Sequence, residues 1–302
     1  MRILAIAVIA VLSAAAVAEP RVAEHLQAVS VTIRAGATQG SGTIVTRTLT
    51  DANGPVQHNF VWTAAHVIDG LRSVETVIEP SKGTERKIIR FRDAQVVQEF
   101  RQGGRRVGES CLDARVVKFS KKDDLCLLQV RKTGYTMASM KFYLDAEIPP
   151  LGTDLYHVGS MAGQELGANS MTQGIVAQIG QVLDGQSYDQ TTVTACPGSS
   201  GGGVFLRDGR LIGVLTLGVR GGDNFNFVVP VRRVRQWADK VGVAWAVDPN
   251  VKMIDPAKIE ELPVEDSGAT FGSEADKKSL EAMSRDAGVP LRRPVSTRPA
   301  ME

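Results

Sequence analysis

Apolar positions along this chain come in short bursts rich in β-branched residues, and Gly, Asp, Asn or Pro bound many of them. Such bursts read as strands. The pattern predicts strands over Val29–Arg34, Gly42–Arg47, Phe60–Ala64, Ser73–Ile78, Lys87–Phe91, Ala114–Phe119 and Leu125–Val130. After Pro149-Pro150 it resumes with Asp154–Val158, Gly174–Ile179, Thr191–Thr194, Gly203–Arg207, Leu211–Leu217 and Phe225–Val229. Asp208-Gly209 between two of these runs is a hairpin signal. One helix is predicted over Pro230–Val241, where Val231, Val234, Trp237 or Ala238, and Val241 share a face. Many short strands with almost no helix argue for an all-β barrel or sandwich.

The two ends of the chain break this pattern. Arg2 precedes an apolar run from Ile3 to Leu12, followed by Ala16-Val17-Ala18. A positive start, a short apolar stretch and an A-x-A-like site read as a secretory signal peptide over residues 1–18. The stretch is shorter than the roughly 20 residues a spanning helix needs. Export to the periplasm or beyond is therefore expected, without stable membrane association after cleavage. From about residue 246 the chain holds six prolines, one aromatic (Phe271) and many charges. Residues 246–302 read as a low-order tail, with a short helix near Glu274–Ser284.

Composition adds mainly exclusions. The 302 residues suffice for a sizeable core, and 43% hydrophobic with 23% charged residues is ordinary for a soluble protein. Net charge is +2, which gives no reason to expect nucleic acid or a polybasic membrane contact. Basic residues cluster between Lys82 and Lys122, but acids are mixed in, as on a solvated face. Of the three cysteines, Cys126 sits in an apolar run as a small core residue, and whether Cys111 pairs with Cys196 stays open. None of the four histidines joins a cysteine at zinc-ligand spacing, so no metal and no cofactor is expected.

Three stretches carry candidate chemistry. In Val61-Trp62-Thr63-Ala64-Ala65-His66-Val67, a strand ends in small residues and then a histidine. In Asp124-Leu125-Cys126-Leu127-Leu128, an acid stands at the entry to an apolar strand; a buried carboxylate there needs a partner, and a histidine N–H would serve. Asp123 is the neighbouring candidate, and contiguity with the apolar run favours Asp124. In Pro197-Gly198-Ser199-Ser200-Gly201-Gly202-Gly203, flanking glycines permit a tight turn that exposes a hydroxyl and aims backbone N–H groups at one point. The order His, Asp, Ser matches one of the known solutions to triad chemistry.

With these stretches in view, the chain resembles trypsin-fold serine proteases, nearer the bacterial Htr/Deg branch than the digestive enzymes. Gly40–Val45, Gly174-Ile175-Val176, Leu211–Val214 and Phe227–Pro230 extend the likeness, which covers roughly residues 25 to 240. The resemblance implies two six-stranded β-barrels, at about residues 25–135 and 145–240 within a domain over 19–245, with the active site between them. It implies polypeptide substrates, Ser200 as nucleophile, His66 as base and Asp124 as its orienting acid. It assigns the oxyanion hole to the N–H groups of Gly198 and Ser200, and substrate pairing to Thr216, Leu217 and Gly218. Thr194 falls at the floor of the specificity pocket and carries no charge, which points to an uncharged residue before the cut. Ser199 stands where the digestive enzymes have an acid that bonds a freed N-terminus, so that activation route is unsupported. Residues 246–302 are too few and too polar for the PDZ domain that Htr/Deg enzymes usually carry. Two other readings compete: a non-catalytic or latent relative that binds peptides, and an acyl hydrolase with a G-x-S-x-G elbow. The elbow reading needs alternating strands and helices and the order Ser, acid, His, which this chain lacks.

Overall fold

The computed structural model describes residues 22–52, 54–78, 85–161, 168–219, 224–265 and 291–292. The expected signal peptide and the expected helix near Glu274–Ser284 lie outside them. The fold is two closed six-stranded antiparallel barrels in sequence. The first uses β1 (Ser30–Ala35), β2 (Thr38–Asp51), β3 (Gly54–Thr63), β6 (Ala94–Gln102), β7 (Arg105–Ser120) and β8 (Leu125–Val130), in the ring order β1-β2-β3-β8-β7-β6. Strands β4 (Arg72–Ile78) and β5 (Glu85–Phe91) form a separate two-stranded ribbon. A short β9 (Lys141–Phe142) leads to the second barrel: β10 (Asp154–Gly159), β11 (Ser170–Leu183), β12 (Gln186–Thr191), β13 (Gly203–Leu206), β14 (Arg210–Val219) and β15 (Asn226–Pro230). Pairing of β13 with β14 closes that ring.

Side-chain alternation decides what each barrel buries. Along β8, Cys126 and Leu128 point into the first barrel, while Leu125 and Leu127 point out into a third apolar cluster. Along β3, Val61 goes inward, and Phe60 and Trp62 outward. Both faces of these strands are covered, so they read as continuous apolar runs rather than alternating ones. The outward cluster also takes Val158, Phe205, Val214 and Val229 from the second barrel, and so joins the two. It is finished by helix α1 (residues 22–29), which contributes Leu26 and Val29, and by helix α3 (Val231–Lys240), with Val234, Trp237 and Ala238. A third element, the short helix α2 (Ala65–Ile68), lies between them in sequence and follows β3 directly. Trp62 meets Trp237 edge-on at 5.8 Å between ring centroids, and Phe60 meets Trp245 at 4.7 Å. Edge-to-face pairs of this kind contribute about 0.5–1.5 kcal/mol beyond area burial.

Packing runs on past residue 246, as far as Glu265. The Trp62 indole N–H donates to the Ala246 carbonyl at 3.0 Å, and Arg47 donates to the carbonyls of Asp248, Pro249 and Val251. Met253 and Ile259 are buried; Ile259 belongs to helix α4 (Pro256–Glu261), which Asp255 caps by accepting from the Ala257 N–H. Glu265 bridges to Phe119 and pairs with Arg72. Pro249, Pro256 and Pro263 concealed an apolar set that the body of the protein covers. Helix α1 and β6 were also absent from the pattern. In β6 the buried positions include Gln98 and Glu99, satisfied by the Ala28 carbonyl and by Arg101 and Arg106. Polar residues at buried positions on both faces removed the apolar signature.

Candidate active site

The end of β3 and the start of β8 are paired, Thr63 opposite Cys126, so the residues just beyond them meet. Beyond Thr63 lies α2, which carries His66; before Leu125 lies Asp124. The Asp124 backbone turns at φ 53°, in the left-handed region that Asp tolerates better than most residues. Its carboxylate is 2% exposed and receives three donors. The His66 Nδ1 lies 2.8 Å from Oδ2 and 3.0 Å from Oδ1, and the His66 backbone N–H donates to Oδ1 at 3.0 Å. The Thr216 hydroxyl donates to Oδ2. Burial alone would push the Asp124 carboxyl up. The neighbouring imidazole and these hydrogen bonds outweigh it and hold the group below its ordinary value. Asp123 takes a different place, bonding Ser120 with Arg233 nearby.

The serine turn arrives from the second barrel. β13 pairs with β14 only as far as Gly203 opposite Val214; upstream of Gly203 the chain folds into the turn. Two hydrogen bonds continue the contact, from Gly201 N–H to the Leu215 carbonyl and from Leu215 N–H to the Gly202 carbonyl. The fold also consumes the Ser199 N–H, donated to Cys196, and the Gly202 N–H, donated to Ser199. Gly198 and Gly201 both have positive φ, +96° and +84°. At Gly201 a Cβ would lie 2.2 Å from the Thr63 hydroxyl and 2.3 Å from the Ser41 carbonyl, so glycine is obligatory.

Ser41 on β2 ties the turn to the first barrel. Its N–H donates to the Ser200 carbonyl at 2.7 Å, its hydroxyl donates to the Gly198 carbonyl at 2.7 Å, and it accepts from the Ser160 N–H at 2.8 Å. Sequence reasoning gave Ser41 no role. The available signal was Gly-Ser-Gly: a Cβ at residue 40 would fall 2.6 Å from Val67, and one at residue 42 would fall 2.5 Å from Val61. His157, also missed, is fully buried behind the turn and donates from Nδ1–H to the Gly203 carbonyl at 2.9 Å. Burial lowers its pKa to about 4.

Two atoms at this junction stand apart. Ser200 Oγ and His66 Nε2 are both buried, and neither has a hydrogen-bond partner. They are two of ten such atoms among the described residues, with His157 Nε2 behind the turn another, and these two lie on the candidate nucleophile and its candidate base. Beside the turn, β14 runs on through Thr216, Leu217 and Gly218 with β15 on one side, Leu217 facing Phe227 and Gly218 facing Asn226. Thr194 is exposed and its hydroxyl donates to Asn224 Oδ1 at 3.0 Å; Asn226 donates to the Val193 carbonyl at 2.7 Å. The three cysteines are free thiols, and no cluster of metal-ligating side chains occurs among the described residues.

Two barrels joined by an Asp–His pair on one side and a glycine-framed serine on the other define a serine hydrolase scaffold. The sequence profile of the trypsin-like peptidase domain matches residues 40–214, more than half of the chain, and the chain belongs to that family of serine proteases. Among solved structures it is similar to a serine endoprotease from Yersinia pestis, at 19% identity and TM-score 0.52 over 74% of this chain. It spans 65% of that protein's length. It is also similar to Deg5, at 19% identity and TM-score 0.52, covering 76% of this chain and 95% of that one. The inactive form of the Rv3671c protease of M. tuberculosis matches at 19% identity and TM-score 0.51, over 76% and 96%. No curated protein matches the sequence.

Proposed function

We propose that this chain is an exported serine endopeptidase that cleaves polypeptides through His66, Asp124 and Ser200. The observation that carries the reading is the pair of buried, partnerless atoms, Ser200 Oγ and His66 Nε2, behind which Asp124 holds the other imidazole nitrogen. Ser200 Oγ attacks the scissile carbonyl while its proton passes to His66 Nε2. Asp124 accepts from Nδ1–H, fixes the tautomer that leaves Nε2 basic, and stabilises the imidazolium. The tetrahedral oxyanion is stabilised by the N–H groups of Gly198 and Ser200, since those of Ser199, Gly201 and Gly202 serve the fold. Nε2–H then protonates the leaving amine. Water, deprotonated by the same nitrogen, hydrolyses the acyl-enzyme and regenerates Ser200.

Uncharged polar groups at Thr194, Asn224 and Asn226, with Gly218 beside them, support an uncharged residue before the cut. The backbone of Thr216, Leu217 and Gly218 offers an edge for an extended substrate. The apolar run at Ile3–Leu12 with Ala16-Val17-Ala18 supports export, and no helix among the described residues is long and apolar enough to cross a membrane. The test is cleavage-site mapping on a peptide library by mass spectrometry. Cuts after small or medium uncharged residues, absent in Ser200→Ala, are expected. Cuts confined to Lys and Arg would overturn the specificity reading.

A further inference from the structure

The edge of β14 beside the serine turn is not left open. β13 pairs with β14 no further than Val214, because its chain turns off into the Ser200 loop. At Leu217 and Gly218 the strand therefore has β15 on one side and no β13 partner on the other. Residues 291–292 take that edge as β16 (Leu291–Arg292), antiparallel, with Arg292 opposite Gly218 and Leu291 opposite Val219. Gly218 is one of the backbone positions proposed above for substrate.

We propose that the C-terminal segment around Leu291–Arg292 is an intramolecular occupant of the substrate edge, which competes with extended peptides for Gly218 and Val219. This rests on the protease reading above and adds its regulation. Three observations carry it. The pairing is antiparallel and uses backbone groups, which is the way an extended peptide adds to a sheet edge. The reach is ample: 25 residues lie between Glu265 and Leu291, enough to span about 85 Å at ~3.4 Å per residue. The paired edge also adjoins the candidate site, since Gly218 stands two residues after Thr216, whose hydroxyl donates to Asp124 Oδ2.

The segment's chemistry limits how it binds. Pro290 and Pro294 bracket Leu291-Arg292-Arg293, and proline has no N–H to donate to a partner strand. Successive N–H groups along a strand point to opposite edges, so at most two of these three can face β14, which makes the segment a weak occupant that a longer peptide can displace.

The experiment compares full-length mature protein with its Leu291→Pro/Arg292→Pro variant, which removes whichever of the two N–H groups faces β14 and leaves the barrels untouched. Three quantities are read: hydrogen exchange at residues 216–219, KM and kcat for an extended fluorogenic peptide, and labelling by a small fluorophosphonate that needs Ser200 but not the edge. The expected result is faster exchange at 216–219 in the variant, a KM lower by about tenfold with little change in kcat, and equal labelling. A synthetic peptide of residues 288–296 should raise the variant's KM again, competitively. Equal exchange in the two proteins would overturn the docking, whatever the activity. Faster exchange with an unchanged KM would overturn the competition. A KM difference that fades on dilution would put the segment on a second copy and overturn the intramolecular assignment. Absence of labelling in both proteins would strike the protease reading, while the exchange data would still decide the docking.

Discussion

Asp124→Asn tests the orienting role proposed for Asp124, and the contacts around its carboxylate set what the change should cost. The carboxylate accepts from the His66 N–H and shares Nδ1 between its oxygens, while Thr216 donates to Oδ2. An amide has only one acceptor oxygen. If that oxygen takes the Oδ1 place, the NH2 faces Nδ1 and Thr216. The threonine hydroxyl can turn and accept, but Nδ1 must then be an acceptor too, so its proton moves to Nε2. With Nε2 protonated, His66 cannot take the proton of Ser200. The flipped amide would instead set NH2 against the buried His66 N–H, donor against donor, at about 1–3 kcal/mol. The first orientation wins, and with it the wrong tautomer. In a triad protease this error lowers kcat by about 10⁴, equivalent to roughly 5 kcal/mol of transition-state stabilisation. Peptide hydrolysis at neutral pH measures the loss, with a denaturant melt to show that the fold persists. A variant within tenfold of wild type would refute the role assigned to Asp124.

Three further outcomes follow from particular contacts. Gly201→Ala places a methyl against the backbone of Ser41 and Ala64 at φ +84°, and should destabilise the protein by about 3 kcal/mol or more in urea unfolding; a loss under 1 kcal/mol would contradict the packing. Ile259→Ala, at a side chain 2% exposed beyond the second barrel, should cost about 2–4 kcal/mol, whereas a neutral result would return residues 246–265 to the status of a loose tail. His157 has its pKa lowered from 6.5 to about 4 by burial, so the stability it contributes is complete above pH 6.5 and is lost as pH falls toward 4, by roughly 3 kcal/mol. His25 and His58 are lowered as well and act with the same sign, so the His157→Gln variant should show a flatter, not a flat, pH dependence of the urea midpoint.

How much of this was legible in the sequence depended on what each residue had to satisfy. The run Leu125–Val130 was plain because both of its faces are covered, and the serine turn was plain because Gly198 and Gly201 need conformations few other residues adopt. The long strands β2, β7 and β11 were read too short, since their outer ends extend into exposed hairpins where nothing enforces an apolar face. β6 stayed hidden because Gln98 and Glu99 occupy buried positions there, Gln98 held by the carbonyl of Ala28 far away in sequence and Glu99 by the nearby Arg101 and Arg106. Ser41 was passed over for a similar reason. Its work is done by backbone and hydroxyl bonds to Gly198, Ser200 and Ser160, and no residue pattern announces a contact across 119 or more positions. The acid was picked over its neighbour on contiguity alone, and the geometry that sets Asp124 against His66 is tertiary: it depends on the pairing of Thr63 with Cys126.

The central claim is that Ser200 is a nucleophile activated by His66. The most direct measurement is covalent labelling of the mature chain by a fluorophosphonate, with the modified residue located by mass spectrometry. The account predicts one adduct, on Ser200, that is lost in Ser200→Ala and falls by orders of magnitude in His66→Ala. A folded wild-type protein that takes no label, or takes it at another serine, would contradict it.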